Sequence, residues 1–210
     1  MLKLESISKF LDITASDTPA PGGGSVSALA ASLGAALGSM VCRITMKKNP
    51  NVAIQIELES VLIKCEKLRD KFTMLIDEDT NAFKKVIDAY RLPKDTAEQS
   101  ANRNAAIQTA YKDATVVPIL LLELCAEAMA LLKIIGEKGN KNTLSDAGVG
   151  VLMIGTACEG AVMNARINIA NITDLSFVEA NKIMMNSLQS AVTNSANQTL
   201  YRINERLFSY

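Results

Sequence analysis

Apolar positions along the chain recur in steps of three and four, the period of an α-helix, almost from end to end. Leu4, Ile7, Phe10 and Leu11 predict a short amphipathic helix over residues 4–14. Residues 17–24 (DTPAPGGG) cannot form regular structure, and Ser25 then opens a helix of small residues running to about Met46. Gly34 and Gly38, like Ala31, Ala35 and Ser39, repeat every four residues and make a flat face for close helix packing. From Asn51 to Tyr90 the spacing of Ile54, Leu58, Val61, Cys65, Leu68, Phe72, Leu75, Ile76, Phe83, Val86 and Tyr90 predicts one long helix, ended by Leu92-Pro93. A capping-box pattern, Thr96 to Gln99, starts the next helix, which Pro118 is expected to kink and which stops near residues 136–139. Residues 149–169 are apolar on most faces and read as a central helix, and a second capping box, Ser176 to Glu179, begins the last one. No alternating strand pattern, repeat or linker interrupts the series. The expectation is a single all-α domain over residues 1–210, a multihelical bundle.

Composition sharpens this mainly by exclusion. The 210 residues contain no histidine, which removes Ser-His-Asp triads, Cys-His dyads and the Glu-x-x-His sites of di-iron bundles. Acid–base chemistry must rest on Asp, Glu, Lys, Tyr or Cys. Lys plus Arg equals Asp plus Glu at 22 each, without a basic block, which speaks against nucleic acid as a partner. Residues 18–42 carry no charge, yet their Ala, Ser and Gly content is weak for lipid, so a buried helix is expected and no membrane partner. Cys42, Cys65, Cys125 and Cys158 form no C-x-x-C pair and read as small core residues of a cytoplasmic protein. The start, MLKLESISKF, shows no secretory signal.

Three features could carry chemistry. Asp79 lies four residues after Leu75 and four before Phe83, in the middle of the apolar stripe. A carboxylate there is either partner to a hidden cation or a functional acid with a raised pKa. Gly22, Gly23, Gly24 and Ser25 stand at a helix start, where backbone N–H groups are free for a ligand; a merely flexible beginning to the helix is the simpler alternative. Asn164, Asn168 and Asn171 share one face of an apolar helix, suited equally to a heterocycle and to hydrogen bonds between helices.

The run Asp17-Thr18-Pro19-Ala20-Pro21-Gly22-Gly23-Gly24-Ser25-Val26-Ser27-Ala28 resembles the signature of the formimidoyltetrahydrofolate cyclodeaminase / methenyltetrahydrofolate cyclohydrolase family. Asp79-x-x-Ala82-Phe83, Leu92-Pro93-Lys94, Gly139-Asn140 with Ser145-Asp146, and Asn164-x-x-x-Asn168 match in the same order. The resemblance implies an intertwined helical homodimer acting on tetrahydrofolate derivatives, with no metal and no separate cofactor. It implies Asp79 as the catalytic residue. The substrate would be held by Gly22, Gly23, Gly24, Ser25, Lys48, Lys94, Asn140, Ser145, Asp146, Asn164 and Asn168. Lys48 and Lys94 are the cations expected to meet the glutamate carboxylates, with or without a polyglutamate tail. Two departures stand out: Lys47-Lys48 replaces a Gly-Lys pair, and Arg166 replaces an aliphatic residue.

Both family reactions act on the one-carbon unit between N5 and N10 of tetrahydrofolate and need a group that can take and return a proton. The leading expectation is cyclodeamination of the 5-formimidoyl derivative to the 5,10-methenyl form with loss of ammonia. The alternative is cyclohydrolysis of the methenyl form to 10-formyltetrahydrofolate, and the third reading is a non-catalytic helical scaffold or folate-binding subunit.

Overall fold

The computed structural model describes residues 1–208, and its architecture is wholly helical. After a 3-10 turn at Leu2–Leu4 come α1 (Ile7–Thr14), α2 (Gly23–Lys48), α3 (Val52–Tyr90) and α4 (Ala97–Lys138). A second 3-10 turn, Lys141–Thr143, leads into α5 (Leu144–Ile169) and α6 (Leu175–Phe208). The expected all-α fold is observed, with no strand among the described residues.

Local chemistry fixes the helix ends. Asn51 caps α3 by accepting from the Ala53 and Ile54 N–H groups. Thr96 and Gln99 form the expected reciprocal capping box on α4. The second expected box is not the one used. Asp174 stands before α6, its Oδ1 accepting from the Phe177 N–H and the Ser176 hydroxyl, while Lys112 pairs with Oδ2. A carboxylate held by a cation out-competes the Ser176–Glu179 pattern for the helix start. Three hydrogen bonds and Lys112 pull Asp174 well below the usual carboxylate range.

The small-residue helix α2 lies at the centre, packed antiparallel on both α3 and α5. Its four-residue stripe works as expected. A methyl group on Gly34 would come within 3.0 Å of the Gly150 carbonyl, so α2 and α5 meet nearly backbone to backbone. Gly38 presses instead on Ile135, Leu132 and Cys65. All four cysteines are buried and free.

The helix α4 continues through Pro118 without ending. Proline has no N–H to give the carbonyl four residues back. Here that carbonyl, Ala114 O, accepts from the Asn168 side-chain amide on α5 at 2.9 Å.

Three helical segments are long and apolar enough to cross a bilayer: Gly23–Lys48, Ala97–Lys138 and Lys141–Ile169. The sequence drew attention to the first alone. Half or more of each apolar window is buried inside the fold, so much of the hydrophobicity serves the common core. The remaining outer face of α2 and α5 is still apolar, with Leu33 48%, Val149 43% and Leu152 54% exposed.

Candidate active site

The start of α2 meets the middle of α3 at one carboxylate. Apolar packing of Leu75 and Ile76 turns that face of α3 inward and carries Asp79 with it. Asp79 Oδ2 accepts from the Ser25 N–H at 3.0 Å, and the Ser25 hydroxyl lies 3.1 Å away. Ser25 is the third residue of α2, so its N–H is one of the donors that a helix leaves unpaired. Asp79 therefore caps α2 from a neighbouring helix. Among the described residues no cation pairs with it; its partner is the helix N-terminus, where a negative charge is favoured. The hidden-cation alternative is not what the fold uses.

Burial is the larger influence on this carboxyl and raises its pKa, while the two Ser25 hydrogen bonds pull it back only in part. The Ser25 hydroxyl also lies 2.8 Å from the Ile76 carbonyl and 3.3 Å from the Thr80 hydroxyl. It carries one proton and cannot donate to Asp79 and Ile76 at once.

The triple glycine has a specific reason. No glycine among the described residues has positive φ, and Gly22 is extended at φ −111°, so unusual backbone angles are not the cause. The cause is proximity. A methyl group on Gly24 would overlap the Asp79 carboxylate, and one on Gly23 would lie 3.3 Å from the Asn164 amide nitrogen. The group that approaches so closely is Asp79 itself.

A cavity of about 190 Å³ opens here, walled by Gly22, Gly23, Gly24, Asp79, Asn164 and Asn168, with Phe83 and Ile167 as apolar sides. Asp79 is the only titratable side chain among the described residues that line it. Among the described residues its Oδ1 takes no hydrogen bond. Asn164 donates to Gly160 O at 2.7 Å and Asn168 to Ala114 O, which leaves each amide oxygen available. Asn171, by contrast, is exposed and bonded to its own helix at Ile167 O. A larger groove of about 660 Å³, between α2, α5 and α6, adjoins the cavity and shares Gly23 and Asn164 with it.

Seven of the expected residues thus gather: Asp79, Gly22, Gly23, Gly24, Ser25, Asn164 and Asn168. The others do not join them within one chain. Lys48 ends α2, ~35 Å of helix from Ser25. Asn140, Ser145 and Asp146 sit at that same far end, where the Asn140 N–H donates to Thr45 Oγ1 at 2.8 Å. Lys94 lies exposed in the turn between α3 and α4, beyond the opposite end. Arg166 is exposed on α5. Thr80 and Phe83 at the cavity, and Glu159 in the groove, were not among the expected site residues. For Glu159 a signal existed: it is the only acid in the apolar stretch 149–169.

Residues 6–187 match the Formiminotransferase-cyclodeaminase family. A methenyltetrahydrofolate cyclohydrolase from Methylorubrum extorquens is 44% identical over 175 residues, 83% of this chain and 84% of the relative. A chicken formimidoyltransferase-cyclodeaminase is 34% identical over 196 residues; these are 93% of this chain but only 36% of that longer protein. The crystal structure of formiminotetrahydrofolate cyclodeaminase from Thermotoga maritima superposes with a TM-score of 0.83 at 26% identity, covering 99% of this chain and 98% of that one. The chain therefore belongs to the folate cyclodeaminase and cyclohydrolase family.

Proposed function

We propose that the protein is a 5,10-methenyltetrahydrofolate cyclohydrolase, with Asp79 as its proton-transfer group. The observation that carries this is Asp79 itself: a desolvated carboxyl with one oxygen held by Ser25 and the other free, alone among titratable groups at its cavity. Hydrolysis takes precedence over the deamination favoured by sequence reasoning because the 44%-identical relative, matched over most of both chains, bears the cyclohydrolase name. The Thermotoga structure, matched over nearly the whole chain, supports cyclodeamination as the second reading.

In hydrolysis, water adds to the methenyl carbon as ionised Asp79 takes one of its protons. The tetrahedral adduct then breaks its bond to N5. Asp79 returns its proton to N5, the hydroxyl proton leaves to solvent, and the formyl group remains on N10. Ser25 suits both states of the acid. With Asp79 ionised, its hydroxyl donates to Oδ2; with Asp79 protonated, it turns its proton to Ile76 O and accepts from the carboxyl. Positioned acid–base help of this kind is worth about 10²–10⁴-fold.

Asp79→Asn should therefore lower turnover of 5,10-methenyltetrahydrofolate by about 10²–10⁴-fold, while its melting temperature stays near that of the parent. A well-folded variant with near-parental turnover of both the methenyl and formimidoyl substrates would falsify the assignment. Faster parental turnover of the formimidoyl substrate would transfer the same mechanism to deamination, with N10 in place of water.

The proposal includes a homodimer. The exposed apolar positions at Leu33 and Val149, beside the groove and not in it, suit a second copy packed antiparallel across α2 and α5. Such a two-fold arrangement would carry Lys48, Asn140, Ser145 and Asp146 of one copy toward Asp79 of the other. Mixing inactive Asp79→Asn and Asp146→Asn proteins through a denaturation cycle should then restore activity, up to about a quarter of the parental value for a random mixture. No recovery in a demonstrably mixed dimer would place the two residues in separate roles.

A further inference from the structure

We propose that Glu159 recognises the pterin ring of the substrate, accepting two hydrogen bonds from its 2-amino group and N3–H; the inference rests on the folate reading above. Glu159 stands on α5 in the wall of the 660 Å³ groove, whose size falls within the usual range for ligand sites, whereas the Asp79 cavity alone is too small. The groove is otherwise mostly apolar, lined by Val26, Leu152, Met163 and Leu200 among others. A carboxylate in such surroundings needs donors. Glu159 has no cationic partner among the described residues. It is held by the Gln189 amide, which donates to Oε2 at 2.7 Å, and more loosely by the Thr193 hydroxyl at 3.4 Å from Oε1. Both come from α6 and fix the carboxylate against one side of the groove. Each carboxylate oxygen has a further lone pair to offer.

A 2-amino-4-oxopyrimidine edge presents two adjacent N–H donors in one plane, which a carboxylate receives with two parallel hydrogen bonds. The placement suits the chemistry. Asp79 abuts Gly24, Gly23 abuts Asn164, and Asn164 stands five residues along α5 from Glu159, a rise of ~7.5 Å. Glu159 and Asn164 both line the groove, so a fused two-ring system with its amino edge at Glu159 lies beside Asn164, which also walls the Asp79 cavity.

The test combines protein and ligand changes. The parent and Glu159→Gln are compared for KM and kcat on 5,10-methenyltetrahydrofolate, and for calorimetric binding of tetrahydrofolate and of its 2-desamino analogue. The expected result is a KM raised by about 10–100-fold in Glu159→Gln with kcat little changed. The parent should bind the desamino analogue more weakly by a similar factor, and the variant should discriminate between the two ligands several-fold less. Equal binding of both ligands by the parent overturns the proposal, and this arm needs no variant to fold. So does a folded Glu159→Gln with parental KM and discrimination, and in that case the Asp79 mechanism stands. A parent that neither binds nor converts any reduced folate overturns the folate reading and this inference together.

Discussion

The two ends of α2 face the same electrostatic demand and meet it in opposite ways. Both have their dipole answered. At the C-terminal end the answer is cationic: Lys47 and Lys48 occupy the last turn, and Thr45 accepts from Asn140 while donating to Val41 O. Arg206 crosses from α6 to donate to the Gly136 and Gly139 carbonyls at the neighbouring end of α4, and Lys138 pairs with Glu57. At the N-terminal end the answer is a single carboxylate with an oxygen left over beside a cavity. Electrostatic complementarity to a helix is common to both ends; the unsatisfied acceptor and the space next to it belong to one. That difference, more than glycine content, separates a functional terminus from a structural one.

The contrast breaks most directly at Gly24. In Gly24→Ala the new methyl displaces the Asp79 carboxylate or shifts the start of α2. Turnover should fall by about 10²-fold or more, with about 1–3 kcal/mol of stability lost to overpacking. Gly22→Ala is the companion. Its nearest neighbour would be Pro19 O at 4.0 Å and its φ is ordinary, so its stability should change by less than about 0.5 kcal/mol. Equal destabilisation of the two variants in urea denaturation would mean that the glycines serve chain flexibility and not the approach of Asp79.

At the other end the measurable quantity is stability. Arg206→Ala removes, among the described residues, two charge-assisted hydrogen bonds to helix-terminal carbonyls and should cost about 1–3 kcal/mol. Arg206→Lys keeps the charge near the dipole but loses the fork, and should fall between the parent and the alanine variant. An unchanged urea midpoint in both would show that solvent satisfies those carbonyls equally well.

What sequence reasoning recovered follows from periodicity. Asp79 was visible because a helical period places it among Leu75, Ile76 and Phe83, and the close-packing stripe of α2 was visible for the same reason. Partners distant in sequence were not. Nothing in Pro118 or Asn168 taken singly announces that the asparagine supplies the donor proline lacks. The Ser176–Glu179 pattern was a correct local signal that lost to Asp174 and Lys112, a pairing across 62 residues. The motif residues at Asn140, Ser145 and Asp146 could be recognised in order along the chain, but order does not disclose that they pack at the far end of α2, where the length of that helix already puts Lys48. Glu159 carried a related signal, the lone acid of an apolar stretch, and went unused because no motif drew attention to it.

The smallest effect is also the one that isolates Asp79 from every other carboxylate. Its folded pKa is raised above the ordinary value of about 3.9, so burial favours the protonated form. Relative to the unfolded chain, the stabilisation is fully present below the unfolded pKa and is lost as pH rises through the folded pKa. Asp79→Asn cannot titrate, and the other acids are common to both proteins, so they cancel in the difference. The stability of the parent minus that of Asp79→Asn, measured by urea denaturation from about pH 3 to about pH 8, should therefore decline with rising pH and level off once Asp79 is ionised. The amplitude is about 1.4 kcal/mol for each unit by which the pKa is raised. In the parent, kcat/KM for hydrolysis should rise over the same interval, because the ionised form is the one that takes a proton from water. A stability difference that is flat, or that grows toward neutral pH, would mean that the Ser25 hydrogen bonds and the helix terminus outweigh burial. Asp79 would then be a capping carboxylate held in its charged form, and the two ends of α2 would differ in the sign of their caps alone.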